Sequence, residues 1–245
     1  KLNTIVHKCY THVPVSSEHS GLHCAESFGL PEDVFKPIGV PRTDVFFDEE
    51  YKNKITSQLR SEYPILNERK RILLYAPTFR GVNAKSAHFP FDQLDLEEWG
   101  AFLKERNDML LIKMHPFIKK KVEIPEEYKD YMMDMSDYRE VNDILFVTDI
   151  LITDYSSVMY EFSLLRRPMY FYAFDQRMYE MQRDFYESFE DTVPGNIYHT
   201  FPKLLDALRK DDYDYDQLDA FIKKNFKYTD GNSTDRFIDQ ILLED

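Results

Sequence analysis

Three short segments of this chain combine groups that handle phosphate and protons with residue types that end a strand. They are Ala76-Pro77-Thr78-Phe79-Arg80-Gly81, Lys113-Met114-His115-Pro116 and Thr153-Asp154-Tyr155-Ser156-Ser157. An arginine in a glycine-containing loop can grip a diphosphate through two parallel N–H bonds and offset negative charge that develops in a transition state. A histidine whose backbone is restricted by a following proline can serve as acid, base or phosphate ligand near neutral pH. Two serines at a strand-to-helix turn set hydroxyls beside the unpaired N–H groups of a helix start, which favour an anion. Glu161, one turn further on, has the reach to accept from ribose hydroxyls. Each group also has an ordinary structural counterpart. Ser156 or Ser157 would cap a helix, Glu161 would complement its dipole, Arg80 would be a solvated surface arginine and His115 a structural histidine.

The elements that must position these groups follow from the hydrophobic pattern. Short apolar runs alternate with stretches of helical period, which predicts α/β architecture with a parallel sheet flanked by helices. Strands are expected at 71–76, 109–114, 149–153 and 168–174, with helices at 96–106, 138–146, 157–165, 201–209, 215–225 and 233–243. Before them, 11–15 and 35–40 read as extended and 23–28 as a short helix, about one β-α-β step, and 44–67 as charged and helical. In an open sheet of this kind ligands bind beyond the carboxyl ends of the strands, and all three segments sit there.

Composition narrows the chemistry. A net charge of −13 over 245 residues argues against general nucleic-acid binding, yet leaves room for a small phosphorylated ligand held by a local positive site. No apolar stretch approaches the roughly 20 residues of a membrane-spanning helix. Cys9 and Cys24 make no disulfide framework, and together with the lack of a secretory leader they predict a reducing, cytoplasmic setting. The abrupt start at Lys1 suggests a piece of a longer protein. His-Glu-x-x-His, paired Cys-x-x-Cys, a glycine-rich phosphate loop and a Gly-x-Ser-x-Gly elbow are all missing, so neither a metal nor another cofactor is expected. The uneven cluster of His7, His12, His19 and His23 reads as incidental.

Taken together and in order, these segments resemble the CDP-glycerol glycerophosphotransferase family, which primes and polymerises wall teichoic acids and related capsule polymers. Gly39-Val40-Pro41-Arg42-Thr43-Asp44 resembles its linker between lobes, and Tyr75 to Arg80, Lys113 to Pro116 and Ile152 to Ser157 follow as in the family. The last continues through Glu161-Phe162 to Arg167-Pro168. Arg183-Asp184-Phe185-Tyr186 with Pro194-Gly195, and then Asp230-Gly231-Asn232, complete the likeness from about Gly39 to the last helix. Asp184 departs from the glycine usual at its position.

The resemblance implies a GT-B fold of two Rossmann-like lobes: residues 1–43 the tail of the N-terminal, acceptor-side lobe and linker, and 44–245 a nearly complete C-terminal donor-binding domain. It implies attack by a polymer-end hydroxyl on the β-phosphorus of CDP-glycerol, with release of CMP and no metal. His115 and Arg80 would be catalytic, and Thr78, Arg80, Lys113, Thr153, Asp154, Ser156, Ser157, Glu161 and Arg42 would hold the CDP-polyol. The family's His-Gly motif, whose histidine would activate the acceptor, has no match in Lys1 to Gly39, so this stretch alone is expected to bind donor without turnover. A lipid-linked polymer acceptor adds the expectation of peripheral contact with the inner face of the cell membrane through Met178, Tyr179, Met181, Phe185, Tyr186 and Phe189. Two alternatives stand beside this reading: a GT-B glycosyltransferase using a nucleotide-sugar, and a nucleotide-binding module without chemistry.

Overall fold

The structure is a computed structural model and describes residues 6–183 and 186–243. Its first elements are β1 (Val13–Pro14), α1 (Glu18–Phe28), β2 (Phe35–Lys36) and α2 (Glu49–Glu62). β3 (Ile72–Ala76), α3 (Leu96–Arg106), β4 (Met109–Ile112), β5 (Met132–Asp134), α4 (Val141–Val147) and β6 (Ile150–Thr153) follow. Then come α5 (Val158–Ser163), β7 (Met169–Tyr172), α6 (Gln176–Gln182), α7 (Phe189–Thr192) and β8 (Ile197–Tyr198). α8 (Phe201–Lys210), α9 (Tyr215–Asn225) and α10 (Ser233–Phe237) follow, and a π-helical turn over Ile238–Leu242 continues α10. Two compact units result, Asn53–Tyr215 and Lys1–Lys52 with Asp216–Asp245.

The larger unit is built on a parallel sheet of order β5-β4-β3-β6-β7-β8. Every residue of β3, β4, β6 and β7 is buried, as expected of strands covered on both faces, and this is why they read as unbroken apolar runs. Alternate residues, Leu73 and Tyr75, Leu110 and Ile112, Ile150 and Ile152, Tyr170 and Tyr172, share one core with Trp99, Phe102 and Leu103 of α3 and Phe201, Leu204 and Leu208 of α8. Trp99 and Phe201 meet edge to face at 5.2 Å. α3 keeps the bounds its sequence predicts because both ends are marked: Asp95 accepts from the Glu98 N–H at 3.0 Å, and Asn107 closes the helix in the left-handed region.

The strand order matters for function. From β3 the chain steps outward to β4 and β5, then returns to β6 beside β3 and steps the other way to β7 and β8. The connections therefore diverge between β3 and β6, and a crevice opens at the carboxyl ends of these two strands.

The smaller unit carries the parallel pair β1–β2, with Val13 opposite Phe35, and α1 laid on it through Ala25. α1 begins earlier than its apolar pattern predicts, because Ser17 caps it by accepting from the Ser20 N–H at 3.2 Å. At the other end of the sequence, α10 is capped by Asp44. That carboxylate accepts from the Ser233 N–H at 3.0 Å, the Thr234 N–H at 2.8 Å and the Thr234 hydroxyl at 2.7 Å. Arg236 pairs with both oxygens of Asp230 at 2.9 Å, donates to the Ile38 carbonyl at 2.8 Å and lies 3.9 Å over the Tyr228 ring. Gly231 turns with φ +73° against Phe47, where a side chain would be strained and crowded.

Asp44→Ala is expected to cost about 1–2 kcal/mol, as loss of a helix cap with two backbone donors does. Burial pushes the Asp44 carboxyl up, but the bonds from Thr234 and Ser233 outweigh it and hold the group below its ordinary value. A depressed folded value means that the contribution is complete above about pH 4 and is lost as pH falls below that. Urea denaturation at neutral pH and at pH 3 checks both statements: the gap between the two proteins should narrow in acid.

Candidate active site

The loop after β3 sends consecutive side chains in opposite directions. Arg80 turns toward the carboxyl ends of β6 and β7, while Phe79 turns toward the carboxyl end of β4.

Arg80 is 7% exposed. Its Nη1 donates to Asp154 Oδ2 at 2.9 Å and to the Thr78 carbonyl at 2.6 Å, and its Nε and Nη2 fork onto Asp175 at 2.6 and 2.8 Å. Four of its five N–H groups are thus committed to protein acceptors, and one Nη2 hydrogen remains. The rings of Tyr155, Phe174 and Tyr179 each lie 5.2 Å from the guanidinium. Asp154, 1% exposed, also accepts from the backbone N–H groups of Thr78 and Tyr155, both at 2.7 Å. Burial holds its carboxyl above the ordinary carboxylate value, against the opposing pull of Arg80 and the Thr78 N–H. Arg80 itself is driven upward by Asp175 and Asp154 against the cost of burial.

His115 follows β4 and is half-buried. The Phe117 backbone N–H donates to its Nδ1 at 3.1 Å, which fixes the proton of the neutral ring on Nε2. Burial, and then the charge of Lys113, push the imidazole below its ordinary value. At neutral pH it is therefore an uncharged hydrogen-bond donor through Nε2. Phe79 and Phe117 hold the ring at 4.7 and 4.6 Å.

The other expected ligands divide by burial. Thr153 is fully buried, with its hydroxyl on the Ala76 carbonyl at 2.7 Å, so it stitches β6 to β3. Lys113, also buried, donates to the carbonyls of Ser136 and Tyr138 at 2.9 and 2.6 Å and ties down the loop after β5. Thr78 Oγ1 is buried next to Asp154. Ser156 Oγ accepts a long bond, 3.4 Å, from the Val158 N–H, and Ser157, which precedes α5, is exposed. Glu161 is buried on α5. Arg42 belongs to the smaller unit, exposed on the turn Pro41–Phe46.

Asp175 escapes the sequence reading. Only its place after β7, the fourth strand end of the same crevice, could have marked it. Tyr155 and Tyr179 are likewise legible only in three dimensions, stacked at 3.8 Å. Arg183 closes the row. It donates to the Gly81 carbonyl at 2.8 Å and lies over Phe79 at 5.4 Å and Tyr179 at 5.7 Å, linking the His115 side to the Arg80 side. Asp184 and Phe185, both part of the family likeness, lie outside the described residues. Of the apolar side chains expected at a membrane, Met178, Met181 and Tyr186 are exposed, whereas Tyr179 and Phe189 are buried in the core.

A six-stranded parallel sheet with its site at the switch point is the nucleotide-binding α/β architecture of GT-B transferases. Residues 3–243 match the family described as CDP-Glycerol:Poly(glycerophosphate) glycerophosphotransferase, and the chain belongs to that family. It is 46% identical over 241 residues to the teichoic acid ribitol-phosphate polymerase TarK of Staphylococcus aureus, covering 98% of this chain and 47% of the relative. It is 35% identical over 236 residues to the teichoic acid glycerol-phosphate primase of Bacillus subtilis, covering 96% of this chain and 58% of that protein. Among solved structures it resembles a variant of the wall teichoic acid polymerase TagF soaked with CDPG. That match has a TM-score of 0.76 and 26% identity, over 96% of this chain and 57% of the other. The chain spans about half the length of the curated relatives it matches.

Proposed function

We propose that this chain is the donor-binding part of a transferase that moves a polyol phosphate from a CDP-polyol to a hydroxyl of a teichoic-acid polymer. The observation that carries the proposal is the presentation of His115 Nε2–H at the carboxyl edge shared by β3, β4 and β6, in a member of this family. In the reaction an acceptor oxygen bonds to the β-phosphorus as the bond from phosphorus to the CMP oxygen breaks. The hydroxyl proton goes to a base that the family likeness places in a His-Gly motif outside this chain. His115, neutral and fixed as a donor, stabilises the charge that builds on the phosphoryl oxygens. Ser157 and Ser156 are the hydroxyls left to meet the nucleotide, with Thr78 behind them against Asp154. Arg80, Asp154, Asp175, Thr153 and Lys113 act by holding the loops in place.

On this reading residues 44–245 are the donor-binding domain, with the site itself inside the compact unit Asn53–Tyr215, and 1–43 are the tail of the acceptor-side lobe and its linker. The cargo is a ribitol or glycerol phosphate, the two that the relatives' names give, and transfer assays with CDP-ribitol and CDP-glycerol in parallel decide between them. Peripheral membrane contact would rest on Met178, Met181 and Tyr186, and vesicle co-sedimentation of the Met178→Ser/Met181→Ser variant tests it.

The decisive experiment is a nucleotide panel read by thermal unfolding. CDP at about 100 times its Kd should stabilise the protein by about 2.7 kcal/mol. Protection by UDP-sugars and none by CDP would instead assign a glycosyltransferase. CDP binding without transfer in the intact protein would leave a module without chemistry.

A further inference from the structure

A second feature lies beside the donor site within the larger unit. The loops 84–92 and 117–120 enclose a groove of about 600 Å³. Lys85, His88, Lys119 and Lys120 line it, with Asp92 the one acidic residue among its lining. None of the three lysines pairs with a carboxylate among the described residues. Lys119 donates to the Pro116 carbonyl at 2.9 Å, and Lys120 lies 5.0 Å over the Phe91 ring. Their neighbour Lys121, outside the groove, does pair, with Asp137. In a chain of net charge −13 acids are abundant, so three lysines left without them in one concavity make a local positive field that suits an anion.

Both walls of the groove are fastened to the active site. His88 and Arg80 form a two-way backbone bridge, with bonds of 2.7 and 3.0 Å. On the other side Phe117, 39% exposed in the groove, is the residue whose N–H holds His115 and whose ring packs on it at 4.6 Å. The aromatic faces of Phe91 and Phe117 supply apolar surface between the cations. Such a lining matches a chain that alternates phosphodiester charges with aliphatic C–H surface. It suits a nucleotide less well, since a nucleotide presents one compact diphosphate and a base.

We infer that this groove binds the polyol-phosphate polymer that the enzyme extends, holding its phosphodiesters near His115. The inference rests on the transferase reading for the identity of the polymer. It is tested in the intact protein with Lys85→Gln/Lys119→Gln/Lys120→Gln, exposed substitutions that leave the core untouched. Binding of purified poly(ribitol phosphate), measured directly without turnover, is expected to weaken about tenfold and to lose part of its salt dependence, as removal of exposed cation–phosphate contacts should. Thermal protection by CDP should not change. Unaltered polymer affinity and salt dependence in the variant would overturn the inference. So would inorganic phosphate competing as well as the polymer at equal phosphate concentration, which would reduce the groove to a simple anion site. If the unsubstituted protein transfers nothing from any CDP-polyol yet binds polymer in a lysine-dependent way, the groove stands and the transferase reading falls.

Discussion

His115→Ala in the intact enzyme is expected to lower kcat for polyol-phosphate transfer about 10²–10³-fold, the usual cost of removing one donor aimed at a developing oxyanion. His115→Gln should recover part of that loss. Its amide N–H reaches close to where Nε2–H lies, and a neutral donor is what the Phe117 N–H on Nδ1 leaves the ring to be. A general base would show the opposite pattern, since glutamine accepts protons no better than alanine. Single-turnover measurements with saturating CDP-polyol separate the two; equal defects in the two variants would overturn the donor role. The pH profile adds a second reading. Because burial and Lys113 lower the histidine, the neutral donor persists down to below pH 6.5, its ordinary value. Below it a proton on Nδ1 would face the Phe117 N–H and release the ring from its orientation, so a histidine-dependent acid limb should lie on that side and be missing from His115→Gln. Stability carries the same sign: a lowered folded value disfavours the protonated native state, so His115 erodes stability as pH falls through 6.5.

Arg80→Ala is expected to destabilise the larger unit by about 3–5 kcal/mol, because it strands two carboxylates that the guanidinium neutralises. Asp154 is 1% exposed, so the penalty falls on a buried carboxyl. Arg80→Lys should recover little. A single ammonium cannot reproduce a fork that reaches Asp154, Asp175 and the Thr78 carbonyl together while lying against three rings. Urea denaturation measures the loss, and donor binding under conditions where the variants remain folded shows whether the loops keep their shape. A variant that unfolds like the parent yet no longer binds CDP would mean that Arg80 acts on phosphate directly and is not the keystone of the loops.

The central strands were legible in the sequence because burial on both faces leaves no polar residue to interrupt them, and α3 because both of its caps are written in residue types. β5 and β8 were not, being edge strands of three and two residues with too little apolar run to show. α6 and α7 were not legible either, being helices of seven and four residues, and Tyr179 and Phe189, expected at a membrane, are packed against Tyr155. Segments that mark the family at opposite ends of the chain, around Asp44 and Asp230-Gly231, proved to be one structural device, the capped start of α10. No local pattern announces a bond between residues 190 positions apart.

The sequence by itself determined the fold class, the central strands and the family, because strand burial and motif order are properties of the linear chain. Only the tertiary structure decided what each polar group does there. Arg80 and His115 occupy equivalent places after neighbouring strands, yet one is enclosed by two carboxylates and the other presents a free Nε2–H. That difference is set by what packs beside each of them: Asp175 comes from 95 residues away and the Phe117 N–H from two. A side chain's charge state and direction follow from such neighbours and from the water they exclude, and spacing along the chain encodes neither.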